Sequence, residues 1–306
     1  MSAKGLTDIP GVLVGHASDY DGLTGCTVVL FNGGAAGGVD IRGSATGTEE
    51  LDLLSPLHLT ERVHAVVLAG GSAFGLEAAS GVRRYLEQKG IGFDTPAAKV
   101  PLVPAAIIYD LAIGKASARP TREMGEVAAG AASSAAVPEG AVGAGTGATV
   151  GKLLGMDHAM KSGLGTATVE MPGGVLVSAL AVVNALGNVI DPANGKIVAG
   201  TRKSAGSAEF ASGPGQNTTL VVVATNARLS KVQATKLAQF GSLGVARTIA
   251  PVWTTLDGDI TFAFSCGTLE ANLDALGVAA ADAVSRSILR AVRLAPSMGG
   301  LPGLKR

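Results

Sequence analysis

Cysteine is nearly absent from this chain: Cys26 and Cys266 are the only two in 306 residues. They could pair only if the two ends of the chain meet, so a disulfide framework is excluded and a reduced, cytoplasmic protein is the expectation. Charge of one sign is lacking too. Lys+Arg and Asp+Glu are 24 each, only 16% of residues are charged, and no basic face is evident, which argues against nucleic acid as a partner. The mean hydropathy is high at +0.38. Yet no run of about 18 apolar residues is free of Gly, Pro or charge, so no membrane span is expected. The first residues, MSAKGLTDIPG, have no apolar core of a signal peptide. The four histidines, His16, His58, His64 and His158, form no HxH or HExxH pair, and no Cys pair completes a zinc set. No metal and no cofactor are expected.

Glycine and small apolar residues are what the chain has instead. There are 44 Gly, against a usual share of about 7%. They are dispersed, which excludes collagen and low complexity and points to tight turns and close backbone approaches. With 47% hydrophobic residues the chain can bury a large core, in one big domain or two. Strands are expected at 12–14, 27–31, 39–43, 65–69, 149–154, 166–170, 174–185, 220–225 and 259–265. Helices are expected at 73–89, 123–136, 230–246 and 269–294, with Gly277 a possible break in the last and Thr48 a possible cap of a short helix. Residues 192–212 read as an exposed linker. This mixed order suggests α+β layers rather than a doubly wound parallel sheet.

One stretch combines unusual features. Gly213-Pro214-Gly215-Gln216-Asn217 is a loop, and it runs straight into Thr218-Thr219 and the β-branched run at 220–225, which reads as a strand buried on both faces. Thr218 thus stands where a loop enters a rigid strand. A Thr hydroxyl needs a base beside it to act as a nucleophile. Cleavage of Asn217–Thr218 would supply one, because the new α-amine has a pKa of about 7.7–8. Most loops of this kind are ordinary turns, and most threonines at a strand start are structural. Thr219 is the rival nucleophile, but strand alternation sends its side chain the other way.

Other motifs are weaker. Gly143–Gly147 with Gly151-Lys152 fails the phosphate-loop pattern at Thr146 and Leu153. Gly70-Gly71-Ser72 reads as a tight strand-to-helix turn. Asp257-Gly258-Asp259 is either a hairpin turn or a pair of carboxylates able to orient a hydroxyl or an ammonium group. Lys152 and Tyr109 are lone polar residues beside apolar runs.

Five blocks together resemble a known family: GVLVGH (11–16), VDIRGSATGTEELDLL (39–54), LAGGSAFGLEAASGV (68–82), GTGATVGKLLG (145–155) and NTTLVVVATNA (217–227). They are similar, in order and over nearly the whole chain, to the self-processing DmpA/NylC-type hydrolases, which include β-peptidyl aminopeptidases and nylon-oligomer hydrolase. The resemblance implies one hydrolase domain, 1–306, with a DmpA-like four-layer αββα sandwich. It implies self-cleavage at Asn217–Thr218 into fragments 1–217 and 218–306, which stay together and assemble, usually as tetramers of αβ units. It further implies Thr218 as nucleophile and Asn184 as an oxyanion-holding amide. Lys152 is implied near the nucleophile and Tyr109 at the substrate end. Asp257 and Asp259 are implied as the pair that positions the nucleophile or the substrate amine.

The expected activity is amide hydrolysis through an acyl-enzyme: first an aminopeptidase on short peptides or amino-acid amides, second an ω-amino-acid oligomer hydrolase. An acyltransferase like ornithine acetyltransferase is the rival from another enzyme class. An uncut scaffold in which Thr218 is only a strand residue is the non-enzyme alternative.

Overall fold

The structure is a computed structural model that describes residues 5–202 and 216–305. The chain begins with β1 (Val12–Asp19) and the unusually long β2 (Thr24–Ile41). Then come β3 (Val63–Ala69), α1 (Glu77–Gln88), the short β4 (Ala105–Ile107) and α2 (Arg122–Gly130). The second half holds β5 (Leu164–Met171), β6 (Val175–Asn184), β7 (Thr218–Ala227), α3 (Lys231–Thr248), β8 (Ile260–Leu269) and α4 (Leu273–Arg293).

β2 belongs to two sheets. Its first part pairs with β1 and β3, and its last part, from Ala36, pairs with β8. The break falls between Leu30 and Ala35, where Gly33 and Gly34 take φ of 78° and 73°, a conformation glycine adopts without strain. The two strands expected at 27–31 and 39–43 are therefore one strand passing from sheet to sheet. In the second sheet the order is β5-β6-β7-β8-β2, antiparallel except for the parallel pair β7–β8.

Side chains alternate across each strand and sort into three cores. Between the sheets lie Val29, Phe31, Leu68, Leu180, Val182, Leu220, Val222, Phe262 and Phe264. Outside the first sheet, Val28, Leu30 and Val67 meet Val82 and Leu86 of α1 and Ala128 of α2. Outside the second sheet, Val177, Ala181, Val221 and Val223 meet Leu237 of α3 and Val284 and Ile288 of α4. Three cores make four layers, αββα, as expected. Among the described residues no helix is long and apolar enough to cross a membrane.

The glycine excess has a packing reason. A Cβ on Gly38 would lie 2.1 Å from the Thr235 nitrogen of α3, and one on Gly165 would lie 2.2 Å from the Ser287 oxygen of α4. Helices thus approach the second sheet at backbone distance. Gly277 does not break α4; it faces the Phe240 ring, 2.4 Å from where its Cβ would stand.

Several boundaries differ from expectation. The first helix starts as a 3-10 turn at Ser72–Leu76. α2 stops at Gly130 because Ser133 exchanges backbone hydrogen bonds with Val14 of β1. The strand expected at 149–154 is only Thr149–Val150. Thr48–Glu49 is a short strand rather than a helix cap, and a 3-10 turn follows at Leu51–Leu54. Within the expected linker, Ile197–Ala199 pairs with Asn188–Ile190, and 203–212 lie outside the described residues. Both cysteines are free thiols.

The inter-sheet core should dominate stability. Phe264 is fully buried, with its ring centroid 4.5 Å from that of Phe31. Phe264→Ala is expected to cost about 3–5 kcal/mol, whereas Val278→Ala on the exposed face of α4 should change little. Urea unfolding midpoints of the two variants check this.

Candidate active site

β7 begins at Thr218, and its register places Thr218 opposite Asn184, the last residue of β6. Both lie on the face of Leu220 and Val182, between the sheets. Thr219 points the other way, on the face of Val221 and Val223. On its other side the chain bridges in parallel to the lead-in of β8, with Asn217 opposite Asp257. The Asp257-Gly258-Asp259 stretch is thus no hairpin turn. It is the entry to a strand parallel to β7.

This pairing brings two donors to one oxygen. The Asn217 carbonyl accepts the Gly258 N–H at 2.7 Å and the Thr218 hydroxyl at 2.6 Å. A hydroxyl therefore touches the carbonyl group of the peptide bond just before it, and a backbone donor polarises that carbonyl. Gly258 has to be glycine here: a Cβ would sit 2.7 Å from both Thr218 Oγ1 and the Ala45 oxygen.

Lys152 reaches the same place from a loop whose backbone N–H groups at Gly151 and Lys152 bond to Gly187 and Leu186. Its Nζ donates to the Asn184 carbonyl at 3.0 Å, to Asn184 Oδ1 at 3.0 Å and to the Gln216 carbonyl at 2.9 Å. Asn184 Oδ1 also accepts from the Thr149 N–H and hydroxyl. Its Nδ2 donates to the Tyr109 carbonyl at 3.0 Å and to the Gln216 carbonyl at 3.2 Å. The Asn184 amide is therefore one residue upstream of the carbonyl that Thr218 touches.

Asp257 and Asp259 are both buried. Asp257 Oδ2 accepts from the Thr254 N–H at 2.8 Å and from its hydroxyl at 2.6 Å. Asp259 Oδ1 accepts the Thr219 N–H at 2.5 Å. Burial, and then the neighbouring Asp257 charge, push the Asp259 carboxyl up to about 7, against the pull of the Thr219 hydrogen bond. Burial brings Lys152 down to about 7, with Asp257, Asp259 and Asp110 acting against it. Ammonium and carboxyl groups are thus both held near neutral pH by a dry setting.

All six side chains singled out in the sequence fall in one region. Tyr109 takes part through its carbonyl, and it also lines a small cavity with Asp110, Ile113, Lys152, Met156 and Gln216. Three residues were missed. Gly258 stood between two aspartates that drew the attention. Asp110 and Lys161 form a second buried set. Asp110 accepts from the Gly71 N–H at 2.7 Å and the Thr24 hydroxyl at 2.8 Å, and Lys161 Nζ donates to the carbonyls of Gly145, Ala148 and Ser162. Burial pushes Asp110 up to about 6 and Lys161 down to about 7, each opposed by the other's charge. The glycines at 70, 71 and 147 surround the Asp110 carboxylate; a Cβ on Gly70 or Gly147 would stand 2.0 or 2.5 Å from its side chain. These glycine motifs cradle an internal carboxylate, not a phosphate. The position of Asp110 after Tyr109 was a readable signal, whereas nothing marked Lys161. Among the described residues no cluster of His, Cys, Asp and Glu could hold a metal ion.

Comparisons with known proteins bear on the family and the fold. A protein of Mycobacterium leprae named as an uncharacterized aminopeptidase is 39% identical, over 97% of this chain and 92% of its own. A 6-aminohexanoate-oligomer endohydrolase of Kocuria sp. is 32% identical, over 94% of this chain and 85% of its own. Among solved structures, the L-aminopeptidase D-Ala-esterase/amidase of Ochrobactrum anthropi, described as a variant of the Ntn hydrolase fold, superposes with a TM-score of 0.78. That match covers 98% of this chain and 88% of the other, at 23% identity, so it speaks to the fold. The model of peptidase family S58 matches residues 4–306, and with it the chain is placed: it is a member of that family, a hydrolase of peptide and amide bonds.

Proposed function

We propose that the chain is a self-processing amide hydrolase whose nucleophile is Thr218. The observation that carries this reading is the Asn217 carbonyl, which accepts the Thr218 hydroxyl and the Gly258 N–H together. In the proposed self-cleavage the Thr218 oxygen bonds to the Asn217 carbonyl carbon and its proton passes to a base. The negative oxygen that results stays on the Gly258 N–H, a fixed donor in a dry site. The C–N bond then breaks, the Thr218 nitrogen takes a proton, and water opens the ester. The products are a carboxylate at Asn217 and an α-amine at Thr218.

The freed amine, with a pKa of about 7.7–8, then serves as the base for hydrolysis. Lys152, drawn down to about 7 by burial, is the group suited to take the proton before that amine exists. Asp257 and Asp259 set the electrostatics of the amine. Asn184 fixes Lys152, and its Nδ2 is available to an acyl oxygen once Gln216 has left.

The substrate reading is a short peptide or amino-acid amide, cleaved through an acyl-Thr218 ester. The likeness to an oligomer endohydrolase at 32% identity supports ω-amino-acid oligomers as the second reading. Assembly of the cut units and a cytoplasmic location belong to the same proposal. Leu57 and Leu59, almost fully exposed, are surface features that fit assembly.

Intact mass under denaturing conditions tests the nucleophile. Wild type should give two fragments, the smaller starting at Thr218. Thr218→Ala should stay a single 30.2 kDa chain, and Thr218→Ser should still be cut. A wild-type chain that stays whole on long incubation would refute self-processing.

The pH dependence tests Lys152. A lysine whose folded pKa is lowered loses its proton earlier than usual, so the base form grows as pH rises through about 7. Self-cleavage followed by gel should accelerate about tenfold per pH unit below 7 and level off above it. Lys152→Met should be slower by about 10²–10⁴-fold and lose that inflection. An unchanged profile in Lys152→Met would remove Lys152 from the chemistry.

A further inference from the structure

The Gly258 N–H that meets the Asn217 carbonyl is one end of a peptide unit. The other end, the Asp257 carbonyl, accepts the Ala45 N–H at 2.9 Å. Both ends of the unit are thus fixed, and a donor fixed in this way needs no rearrangement when charge develops on its acceptor. The turn before it, residues 254–257, adds a second hold. Its Leu256 carbonyl lies 3.4 Å from the Asn217 side-chain amide. One turn therefore holds Asn217 by its side chain and by its carbonyl.

Four hydrogen bonds close that turn on Thr254. The Thr254 carbonyl accepts the Asp257 N–H at 3.1 Å, and its hydroxyl accepts the Leu256 N–H at 3.3 Å. Its own N–H and hydroxyl donate to Asp257 Oδ2 at 2.8 and 2.6 Å. Asp257 is only 2% exposed, so its carboxylate depends on donors that the protein supplies. The preceding residue, Trp253, has a φ of 56°, a left-handed conformation that a bulky residue adopts only under constraint. Its backbone hydrogen-bonds to the Asp259 carboxyl. Residues 253 and 254 thus fasten the two aspartates, one each. Arg42 lies over the Trp253 ring but is paired with Asp40.

We propose that Thr254 is a positioning residue for self-cleavage: its hydroxyl holds the Asp257 carboxylate, and so sets both the aim of the Gly258 N–H and the negative charge that faces Lys152. This role rests on the reading of Thr218 and Lys152 given above. The charges that act on Lys152 are those of Asp257, Asp259 and Asp110, all supporting its ammonium form, and Asp110 is itself opposed by Lys161. Without the Thr254 hydroxyl the Asp257 carboxylate loses a charge-assisted donor, and its support for the ammonium weakens. Lys152 then gives up its proton at a lower pH than the value of about 7 in the intact site. A weaker base and a less firmly aimed donor both slow the reaction.

The test follows self-cleavage by gel from about pH 5 to about pH 9 in wild type, Thr254→Ser, Thr254→Val and Thr254→Ala. The Val and Ala variants should cut about tenfold more slowly, with an inflection at least about half a pH unit below that of wild type. Thr254→Ser keeps the hydroxyl and should match wild type in both. A hydroxyl needed only to close the turn would change the rate and leave the inflection in place, and that result would overturn the inference. So would a Val or Ala variant equal to wild type, an inflection that moves upward, or a Ser variant that behaves like Val. Urea midpoints identify the variants that stay folded. If neither Val nor Ala folds, Thr254 is a structural residue and the inference fails. A wild-type chain that never cuts itself would instead refute the Thr218 reading.

Discussion

A lysine ammonium group almost wholly buried from water is the constraint on which the site depends. Moving such a group from water into protein costs several kcal/mol unless every hydrogen finds an acceptor. Lys152 finds three, and two of them belong to one residue, Asn184. That requirement fixes Asn184 at the end of β6, with its amide oxygen turned to Lys152 and its amide nitrogen turned away. The Thr149 hydroxyl and N–H hold the same orientation. The third acceptor, the Gln216 carbonyl, ties the buried charge to the chain just before Thr218. The lysine is therefore sensitive to whether that chain is present.

Strand register does the rest. Thr218 opposes Asn184 in one direction, and Asn217 opposes Asp257 in the other. A slip of one residue on either side would turn Thr218 toward the helices and offer Thr219 in its place. The slip is opposed along the whole strand, because Leu220 and Val222 belong to the inter-sheet core while Val221 and Val223 belong to the helix side. The hydrophobic alternation of 220–224 therefore specifies where a hydroxyl group two residues earlier must point. Packing at backbone distance, as at Gly38 and Gly165, holds the helices to the second sheet and so holds the register.

The legible parts of this molecule were those written in local pattern. The apolar run at 220–225, the strands at 166–170 and 174–185 and the helices α3 and α4 follow from periodicity and caps, and Ser230 caps α3. The site residues, by contrast, were suspected mainly from family resemblance. Lys152 and Tyr109 alone read only as lone polar residues beside apolar runs. Their burial arises from the meeting of segments far apart in the chain, and no local pattern encodes that. Gly258 shows the limit most clearly. An Asp-Gly pair reads as a turn, and only the parallel bridge to Asn217 reveals that its N–H meets a particular carbonyl. In the same way β2 read as two strands, because the two glycines that let it pass between sheets look like a loop.

A cut at Asn217–Thr218 would leave a sandwich that has no need of the severed bond. Residues 218–305 supply β7, β8, α3 and α4, while β6 and β2, which flank β7 and β8 in the sheet, come from before the cut. Separating the two pieces would break the ladders β6–β7 and β8–β2 and expose Phe262, Phe264, Leu220 and Val222 along the inter-sheet core. Burial of that kind is worth about 1.5–3 kcal/mol for each large side chain, so a few residues outweigh the entropy gained by release. The new chain end at Thr218 is held from both sides by neighbouring strands and is not free to fray. The same ladders that place the hydroxyl group before a cut would thus keep an N-terminal threonine in place after it.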